Sequence, residues 1–385
     1  YSKHVRIALL LPCLYTELNQ PEVLGHILDE ISHVNYLRSV VVAFGGTDDE
    51  SQFVRAKDYF GRLKDRGRNV KLVWVDGPRV QRVLEEMRNR SITTGEPGKG
   101  QSVWISLGYL FARAECEVIA LHDCDILTYN RTLLARLIEP VANPNNDFQF
   151  SKGYYPRVSS ADRVLKGRVT RLFVTPLCDA MCRVMRDRGF PALENFFRYH
   201  GAFKYPLAGE FSFTARLARS IDFAYDWGLE VATLSEVYKR TNLRKISQVA
   251  LAGNYDHKHQ NLSAEDPNRG LHKMIVDIGK FYFNYIRSHG FSIDDCFVDM
   301  VCCTYYENAK RFIKIYSDDA EINALGYDRH EEELSVRYFR NFIATAWEQC
   351  KENQSGSMLP SWNRVLYGVP DLYERLMRAV EDDNR

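Results

Sequence analysis

Two carboxylates that stand one residue apart follow a short apolar run near the middle of the chain. The run Val118–Leu121 predicts a buried strand, and Asp123 and Asp125 come just after it. In an open α/β sheet, ligands bind just beyond the carboxyl ends of the strands, where this pair would lie. Because Mg²⁺ typically takes one or two protein carboxylates together with substrate phosphates, the pair is a candidate metal and phosphate site. The alternative is an ordinary polar turn.

A lysine between two glycines is the second candidate. Lys99 lies in the sequence Glu-Pro-Gly-Lys-Gly-Gln, just before a predicted helix, and this context suits a flexible loop that holds a diphosphate. A P-loop is rejected, because Gly100 stands where the lysine of that motif must be followed by Ser or Thr. The alternative is a surface lysine in a turn.

Two further loops follow the first and second predicted strands and would lie at the same edge of the sheet as Asp123. Residues 12–17 can wrap a nucleobase and ribose, with polar contacts from Thr16 and Glu17. Residues 45–48, Gly-Gly-Thr-Asp, can bring backbone N–H groups close to a ligand. Either loop is also compatible with an ordinary tight turn.

A basic segment in the middle of the chain predicts an anion site. Arg168 can bind a carboxylate or phosphate with two hydrogen bonds, and Thr170 and the backbone of a helix start add donors. The alternative is a capped basic helix start, but the surrounding basic residues favour a site for a small acidic substrate. These residues are Lys152, Arg157, Arg163, Lys166 and Arg171.

Two histidines one residue apart, His257 and His259, are the last candidate. Histidine is a common metal ligand, and one of them could complete the coordination begun by Asp125. The local sequence alone favours a surface pair without a ligand.

The periodicity of the chain predicts the elements that must position these residues. Strands are predicted at residues 5–11, 39–44, 70–75 and 118–121, and later at 148–155 and 248–253. Helices between the early strands predict a parallel sheet covered on both faces. Long amphipathic helices are predicted at residues 271–288, 293–316, 331–349 and 371–380. We therefore expect a nucleotide-binding half at 1–130, an acceptor-binding half at 131–265 and a helical extension at 266–385 that braces the sheet or forms a dimer contact.

Composition narrows the function further. The 385 residues include 51 basic and 50 acidic side chains, which gives no bulk attraction to nucleic acid or to a membrane surface. No apolar run approaches the ~18 residues of a transmembrane helix. The nine cysteines contain no Cys-x-x-Cys pair, and an odd number without a secretory leader favours a reducing compartment. We expect a cytoplasmic protein that binds neither nucleic acid nor membrane.

Taken in order, six motifs resemble those of a known family. They are Pro-x-Leu-x-x-Glu, Gly-Lys-Gly, Asp-x-Asp, Gly-Arg-Val-Thr, Pro-Leu-Ala-Gly-Glu and His-x-His. Over about residues 5–265, the chain resembles the glucosyl-3-phosphoglycerate synthases and their mannosyl relatives. These are retaining glycosyltransferases of GT-A fold, a Rossmann-like and mostly parallel sheet with helices on both faces. The resemblance implies a nucleotide-sugar donor, a divalent cation (Mg²⁺ or Mn²⁺) and D-3-phosphoglycerate as the acceptor.

The resemblance also implies roles for individual residues. The residues expected at the donor nucleotide are Pro12, Leu14, Glu17, Gly46, Lys99, Asp123 and Cys124. The residues expected at the transferred sugar and the acceptor are Gly167, Arg168, Thr170, Leu207, Ala208, Gly209, Glu210, His257 and Asn261. Asp125 and His259 would bind the metal, and the catalytic group would comprise Asp123, Asp125 and Glu230, the last touching the sugar hydroxyls.

Two departures from the family concern the acceptor site. The family carries Arg where this chain has His257, and it carries a glycine-rich run where this chain has residues 164–166. Lys166 would replace the missing positive charge, and free glycerate or another small acid stays open as the acceptor.

The resemblance implies transfer of glucose from a nucleotide-sugar to D-3-phosphoglycerate, with UDP-glucose as the favoured donor. We also expect the protein to be a homodimer. We favour attack on the face that the leaving group vacates, because the sequence identifies no nucleophile. The alternatives are a mannosyl transferase using GDP-mannose, a nucleotidyltransferase, and a nucleotide-sugar-binding regulator without catalysis.

Overall fold

A computed structural model describes residues 3–159, 162–256, 270–352 and 356–385. Its strands are β1 Ile7–Leu14, β2 Leu37–Gly45, β3 Val70–Trp74, β4 Val118–Leu121, β5 Phe150–Tyr154, β6 Phe211–Thr214, β7 Phe223–Ala224, β8 Ile246–Ala250 and β9 Met358–Leu359. The helices of the first two thirds are α1 Pro21–Ser32, α2 Glu50–Asp65, α3 Pro78–Asn89, α4 Lys99–Arg113, α5 Arg131–Ala142, α6 Thr175–Asp187, α7 Pro191–Gly201, α8 Ala215–Ser220 and α9 Leu229–Arg240. The remaining helices are α10 Gly270–Ser288, α11 Asp295–Ile322, α12 Arg329–Glu352, α13 Trp362–Gly368 and α14 Leu372–Asp383.

Seven strands form one mostly parallel sheet in the order β3-β2-β1-β4-β6-β5-β8. Strand β6 is antiparallel to both of its neighbours, β4 and β5, and every other pair is parallel. The carboxyl ends of β1, β2, β3 and β4 therefore meet at one edge. This edge is where the loops predicted from the sequence must lie.

Helices cover both faces of this sheet. Along β2, Val40 and Val42 pack into the core formed with α1, α2 and α5, while Val41 and Ala43 pack into the core formed with α3, α4 and α14. A strand buried on both faces must be apolar at consecutive positions, which explains its continuous apolar sequence. The predicted α/β fold class, with a helical C-terminal region, is confirmed.

The long helices α10, α11 and α12 pack with α6 and α7 in a third core. Residues 356–385 leave this bundle and return to the sheet. Trp362 stacks on Trp104 of α4 with ring centroids 5.0 Å apart, and Asn384 forms two hydrogen bonds with the backbone of Leu72 in the edge strand β3. The division of the chain into three domains stays a prediction.

The periodicity missed some elements of the middle third. Helices α5 and α7 and strand β6 were not predicted. The helix start expected at Arg168 and Thr170 is present, and it begins with a π-helical turn, Thr170–Val174. Among the described residues, no helix is both long and apolar enough to cross a membrane.

Candidate active site

Lys99 joins two carboxylates at the carboxyl edge of the sheet. Its Nζ lies 2.9 Å from Oδ1 of Asp123 and 3.1 Å from Oε1 of Glu230. Lys99 begins α4, Asp123 follows β4, and Glu230 lies in the first turn of α9, so three separate elements converge here. Burial would lower the pKa of Lys99, but the charges of Asp123 and Glu230 outweigh it and raise that pKa well above its usual range. Lys99 therefore stays cationic.

The prediction that Lys99 lies in a flexible loop is wrong, because Lys99 is the first residue of α4. A Cβ at Gly100 would lie 2.0 Å from the carbonyl oxygen of Ala224. Glycine is thus required here for close packing of the helix start against β7 rather than for freedom of motion.

The 207–210 loop packs directly against Asp123. A Cβ at Gly209 would lie 2.3 Å from Oδ2 of Asp123, so only glycine leaves room for that carboxylate. Buried Lys152 of β5 donates a hydrogen bond to the carbonyl oxygen of Ala208. Burial lowers the pKa of Lys152 to about 8, against the opposing charges of Glu230 and Glu210. The loop is thereby held between Asp123 and Lys152.

Glu210 is buried and accepts hydrogen bonds from two tyrosines. The hydroxyl of Tyr155 lies 2.6 Å from Oε2 and that of Tyr255 lies 2.5 Å from Oε1, and the two rings stack 3.6 Å apart. Burial and the charge of Asp123 raise the pKa of Glu210, while the two hydroxyls act in the opposite direction. Sequence reasoning missed both tyrosines. Tyr155 is the last residue of the strand predicted at 148–155, and Tyr255 lies two residues beyond the strand predicted at 248–253.

Asp125 lies in an excess of negative charge. Burial, followed by the charge of Asp123, raises its pKa to about 7; Lys99 acts in the opposite direction, and Glu17 and Glu210 act in the same direction as Asp123. Among the described residues, no group of three or more His, Cys, Asp or Glu side chains could hold a metal ion by itself. The oxygen ligands and the excess negative charge fit a hard divalent cation whose other ligands come from a substrate diphosphate.

The remaining predicted metal and acceptor ligands, His257, His259 and Asn261, lie outside the described residues. The chain before them is held beside the loop that follows Asp125. The backbone N–H of Leu127 donates to the carbonyl oxygen of Asp256 at 2.8 Å, and the N–H of Asp256 donates to Oγ1 of Thr128 at 3.1 Å.

The loops after β1 and β2 meet. A Cβ at Gly46 would lie 3.1 Å from Cδ2 of Leu14, and Gly46 has a φ of +86°, a conformation that favours glycine. The N–H groups of Gly46 and Thr47 donate to Oδ2 of Asp76 at 2.6 and 3.2 Å. Asp76 was not selected from the sequence, although it follows β3 as the other candidates follow their strands.

Three other residues predicted at the nucleotide lie at the same edge. Pro12 is half-buried near the end of β1, and Glu17 lies in the 3₁₀ turn that follows this strand, half-buried and close enough to act on the pKa of Asp125. Cys124 is buried, and the neighbouring thiol of Cys13 in β1, together with burial, raises the pKa of Cys124 well above its usual range.

The predicted acceptor residues lie together at the start of the helix that includes α6. Gly167 has a φ of +73°, and a Cβ there would lie 2.9 Å from the hydroxyl of Tyr205. The hydroxyl of Thr170 is buried without a hydrogen-bond partner among the described residues, and Nε of Arg168 donates to Glu332 of α12 at 3.0 Å. Tyr205 precedes the 207–210 loop by two residues and so links the two clusters.

Comparison with known proteins gives the family. The chain is 39% identical over 385 residues to the glucosyl-3-phosphoglycerate synthase of Persephonella marina, covering 100% of this chain and 92% of that protein. It is 37% identical over 378 residues to the glucosyl-3-phosphoglycerate synthase of Methanococcoides burtonii, covering 98% and 90%. This chain belongs to the glucosyl-3-phosphoglycerate synthase family. A scan against protein-family models matches none.

Membership of the glucosyl-3-phosphoglycerate synthase family makes the chain a glycosyltransferase and favours that hypothesis over a nucleotidyltransferase or a non-catalytic regulator. A solved structure with the same fold is glucosyl-3-phosphoglycerate synthase from Mycobacterium tuberculosis in complex with Mn²⁺, UDP-glucose and phosphoglyceric acid. The two chains are 22% identical with a TM-score of 0.52, covering 76% of this chain and 83% of the other. At this identity the likeness supports the fold.

Proposed function

We propose that this protein transfers glucose from UDP-glucose to D-3-phosphoglycerate, with retention of configuration and dependence on a divalent cation. The names of its relatives and the ligands of the mycobacterial structure support this assignment. The observation that carries it is the convergence of Lys99, Asp123 and Glu230 beyond the carboxyl end of β4. Open α/β sheets bind their ligands at such an edge.

On the donor side, the loops after β1 and β2 hold the nucleotide through residues 12–17 and Gly46. Lys99, whose pKa is raised by its carboxylate partners, faces the diphosphate, and its pairing with Asp123 and Glu230 keeps both carboxylates in place for the ribose and the sugar hydroxyls. The 207–210 loop forms the wall of the sugar pocket, because Gly209 lies against Asp123.

Asp125 and His259 would hold the cation. Residue 259 is only three residues beyond Asp256, which lies beside Thr128. Because three residues span at most about 10 Å, the chain length allows His259 to reach the loop that contains Asp125. When bound, the cation would neutralise charge on the departing diphosphate.

On the acceptor side, the terminal nitrogens of Arg168, the backbone at Gly167 and the hydroxyl of Thr170 hold the anionic groups of phosphoglycerate. The buried hydroxyl of Thr170 has no partner among the described residues, which supports a ligand there. His257 and Asn261 bind near the acceptor phosphate, and Lys166 supplies the positive charge that His257 carries only when protonated.

Retention is proposed to proceed by attack on the face that the leaving group vacates. A covalent route needs a carboxylate with an available oxygen. Asp123 and Glu230 are paired with Lys99, and Glu210 accepts from two tyrosines, so these three are poorly placed to act as nucleophiles. The acceptor hydroxyl therefore attacks directly, and its proton passes to the departing phosphate oxygen. This chain contributes positioning and electrostatic stabilisation.

The test is a matrix of donors and acceptors. UDP-glucose and GDP-mannose are each combined with D-3-phosphoglycerate and with D-glycerate, with EDTA, Mg²⁺ or Mn²⁺, and NMR determines the anomeric configuration of the product. We expect transfer only from UDP-glucose to phosphoglycerate, only with a cation, and an α-linked product. Transfer from GDP-mannose alone, or an inverted product, would contradict the proposal.

Two variants test the assigned roles. Asp125→Asn should abolish turnover in a folded protein, while Arg168→Ala should mainly raise the KM for the acceptor. Asp147→Asn is a control, because Asp147 is 84% exposed and pairs only with Lys245 among the described residues. If Asp125→Asn kept most of its cation-dependent activity, the metal assignment would be wrong.

The homodimer and the cytoplasmic location remain proposals. Sedimentation of the purified protein over a range of concentrations tests the first, and fractionation of the source cells tests the second.

A further inference from the structure

Glu332 lies in α12 of the C-terminal helical region, yet it accepts hydrogen bonds from Arg168 and Arg171, which belong to the segment that carries the predicted acceptor residues Gly167, Arg168 and Thr170. Its Oε1 accepts from Nε of Arg168 at 3.0 Å and from Nη2 of Arg171 at 3.2 Å, and its Oε2 accepts from Nη1 of Arg171 at 3.0 Å. The residue is 4% exposed. A single buried carboxylate thus receives three charge-assisted hydrogen bonds.

The two arginines are used differently. Arg171 also donates from Nε to the carbonyl oxygen of Lys166 at 2.9 Å, and its guanidinium lies 4.8 Å from the centre of the Tyr316 ring. Its side chain is only 8% exposed, whereas that of Arg168 is 28% exposed. Arg168 uses Nε alone, and the described residues offer its Nη1 and Nη2 no hydrogen-bond partner. Arg171 is therefore structural, while Arg168 keeps a two-nitrogen fork for a ligand.

We propose that Glu332 is a positioning residue of the acceptor site, which holds Arg168 by Nε so that Nη1 and Nη2 meet an anionic group of the acceptor. This inference rests on the proposed function, which gives Arg168 its acceptor role. A guanidinium held in advance loses less freedom on binding and forms its two parallel hydrogen bonds at a smaller cost. Glu332 also neutralises one of the two arginine charges, so the positive charge that remains is presented by Arg168.

A second contact joins the same two segments. The N–H of Gly326 donates to the carbonyl oxygen of Arg163 at 2.8 Å, and Gly326 forms a parallel β-bridge with Val164. A Cβ at Gly326 would lie 2.9 Å from Cγ1 of Val164. The loop before α12 therefore holds the chain just before Gly167, and Glu332 extends this contact to Arg168. The acceptor site is built partly by the C-terminal helices.

The first test is Glu332→Gln, which keeps the size of the side chain and removes the charge. We expect the KM for D-3-phosphoglycerate to rise about tenfold or more, with the KM for UDP-glucose unchanged. Glu333→Gln is the matched control, because Glu333 lies next on the same helix and pairs with Arg329 at the surface. An equal rise in both KM values, or none in either, would overturn the inference.

The second test is a double-mutant cycle. If Glu332 acts through Arg168, then Arg168→Ala combined with Glu332→Gln should have the acceptor KM of Arg168→Ala alone. If the two separate rises in acceptor KM instead multiply in the double variant, Glu332 acts independently of Arg168, and the inference would be overturned.

If Glu332→Gln does not fold, Glu332→Asp tests the same positioning role. It keeps the charge but draws the carboxylate back by one methylene, and we expect a smaller rise in acceptor KM with intact UDP binding by calorimetry. A wild-type acceptor KM in this variant would overturn the inference. Failure of the wild-type enzyme to use phosphoglycerate at all would instead contradict the proposed function, so the two failures are distinguishable.

Discussion

Gly209 and Asp123 are packed so closely that a Cβ at position 209 would lie 2.3 Å from Oδ2 of the carboxylate. The same carboxylate is held by Nζ of Lys99, which lies 2.9 Å from Oδ1 and 3.1 Å from Oδ2. The position of Asp123 is therefore set jointly by a missing side chain and by an ion pair.

Gly209→Ala should displace Asp123 from this position. Because a displacement of about 1 Å at a reacting centre can cost roughly 100-fold in rate, we expect kcat/KM to fall by about that factor. Steady-state rates with UDP-glucose measure the loss, and circular dichroism verifies the fold. Gly61→Ala in α2 is the control, because no heavy atom lies within 4 Å of its Cβ position, and it should retain wild-type activity. Equal activity of the two variants would contradict the prediction.

Lys99→Met should leave Asp123 and Glu230 without their shared cation. We expect kcat/KM for UDP-glucose to fall about 100-fold, the usual scale for removing one preorganised electrostatic contact. Lys99→Arg should recover part of the activity, because it restores the charge with a different shape. Initial rates at varied UDP-glucose test this. Wild-type donor kinetics in Lys99→Met would show that the ion pair plays no part in donor binding or transfer.

His200 should make stability depend on pH. Its ring is buried, with Nδ1 and Nε2 each 3.1 Å from the hydroxyls of Tyr282 and Ser235, and burial lowers its pKa from 6.5 to about 3. The unfolded chain therefore takes up the proton first. The stabilisation is fully present above pH 6.5 and is lost as the pH falls from there toward 3, by up to about 1.4 kcal/mol per pH unit.

Urea unfolding of wild type and His200→Gln between pH 7.5 and 4.5 tests that dependence. The variant should be less stable at pH 7.5, because both hydroxyls lose a matched partner, but its free energy of unfolding should fall less steeply on acidification. Parallel pH profiles for the two proteins would show that His200 does not contribute.

Trp362→Ala should test how strongly the C-terminal segment is bound to the sheet. Trp362 is fully buried, its Nε1 donates to the carbonyl oxygen of Trp104 at 2.9 Å, and a Cβ at Gly108 would lie 2.0 Å from its ring. Loss of such a side chain leaves a cavity and costs about 3–5 kcal/mol. Denaturant unfolding measures the change. Tyr367→Ala, at a side chain that is 91% exposed, should cost little, and equal costs would contradict the prediction.

Local patterns predicted much of the architecture because they depend on neighbours along the chain. Consecutive apolar residues identified β1 to β4, and helical spacing identified the long C-terminal helices. The antiparallel strand β6 was missed because its four residues, Phe-Ser-Phe-Thr, do not form the continuous apolar run that marked the equally short β4. Helices α5 and α7 were also missed, although Asn130 caps the first and Pro191 begins the second.

The candidate site was predictable where one motif supplied adjacent residues and not where side chains meet across the fold. Asp123 and Asp125 were selected from a single stretch, and the motif order pointed to Lys99 and Arg168. Nothing in the sequence singled out Glu332, because it is 164 residues from Arg168 and lies within a helix rich in charged residues. Lys152 was noted only as a basic residue, since its burial depends on the packing of β5.

The amino-acid sequence by itself determined the strand-and-helix alternation, the position of the acidic pair after β4 and the resemblance that led to the family, because each is carried by neighbouring residues or by motif order. Only the tertiary structure decided that Lys99 is shared between Asp123 and Glu230, that Gly209 must lack a side chain, and that a C-terminal helix holds Arg168. These are charge and packing relationships between segments distant along the chain, and no local periodicity records them.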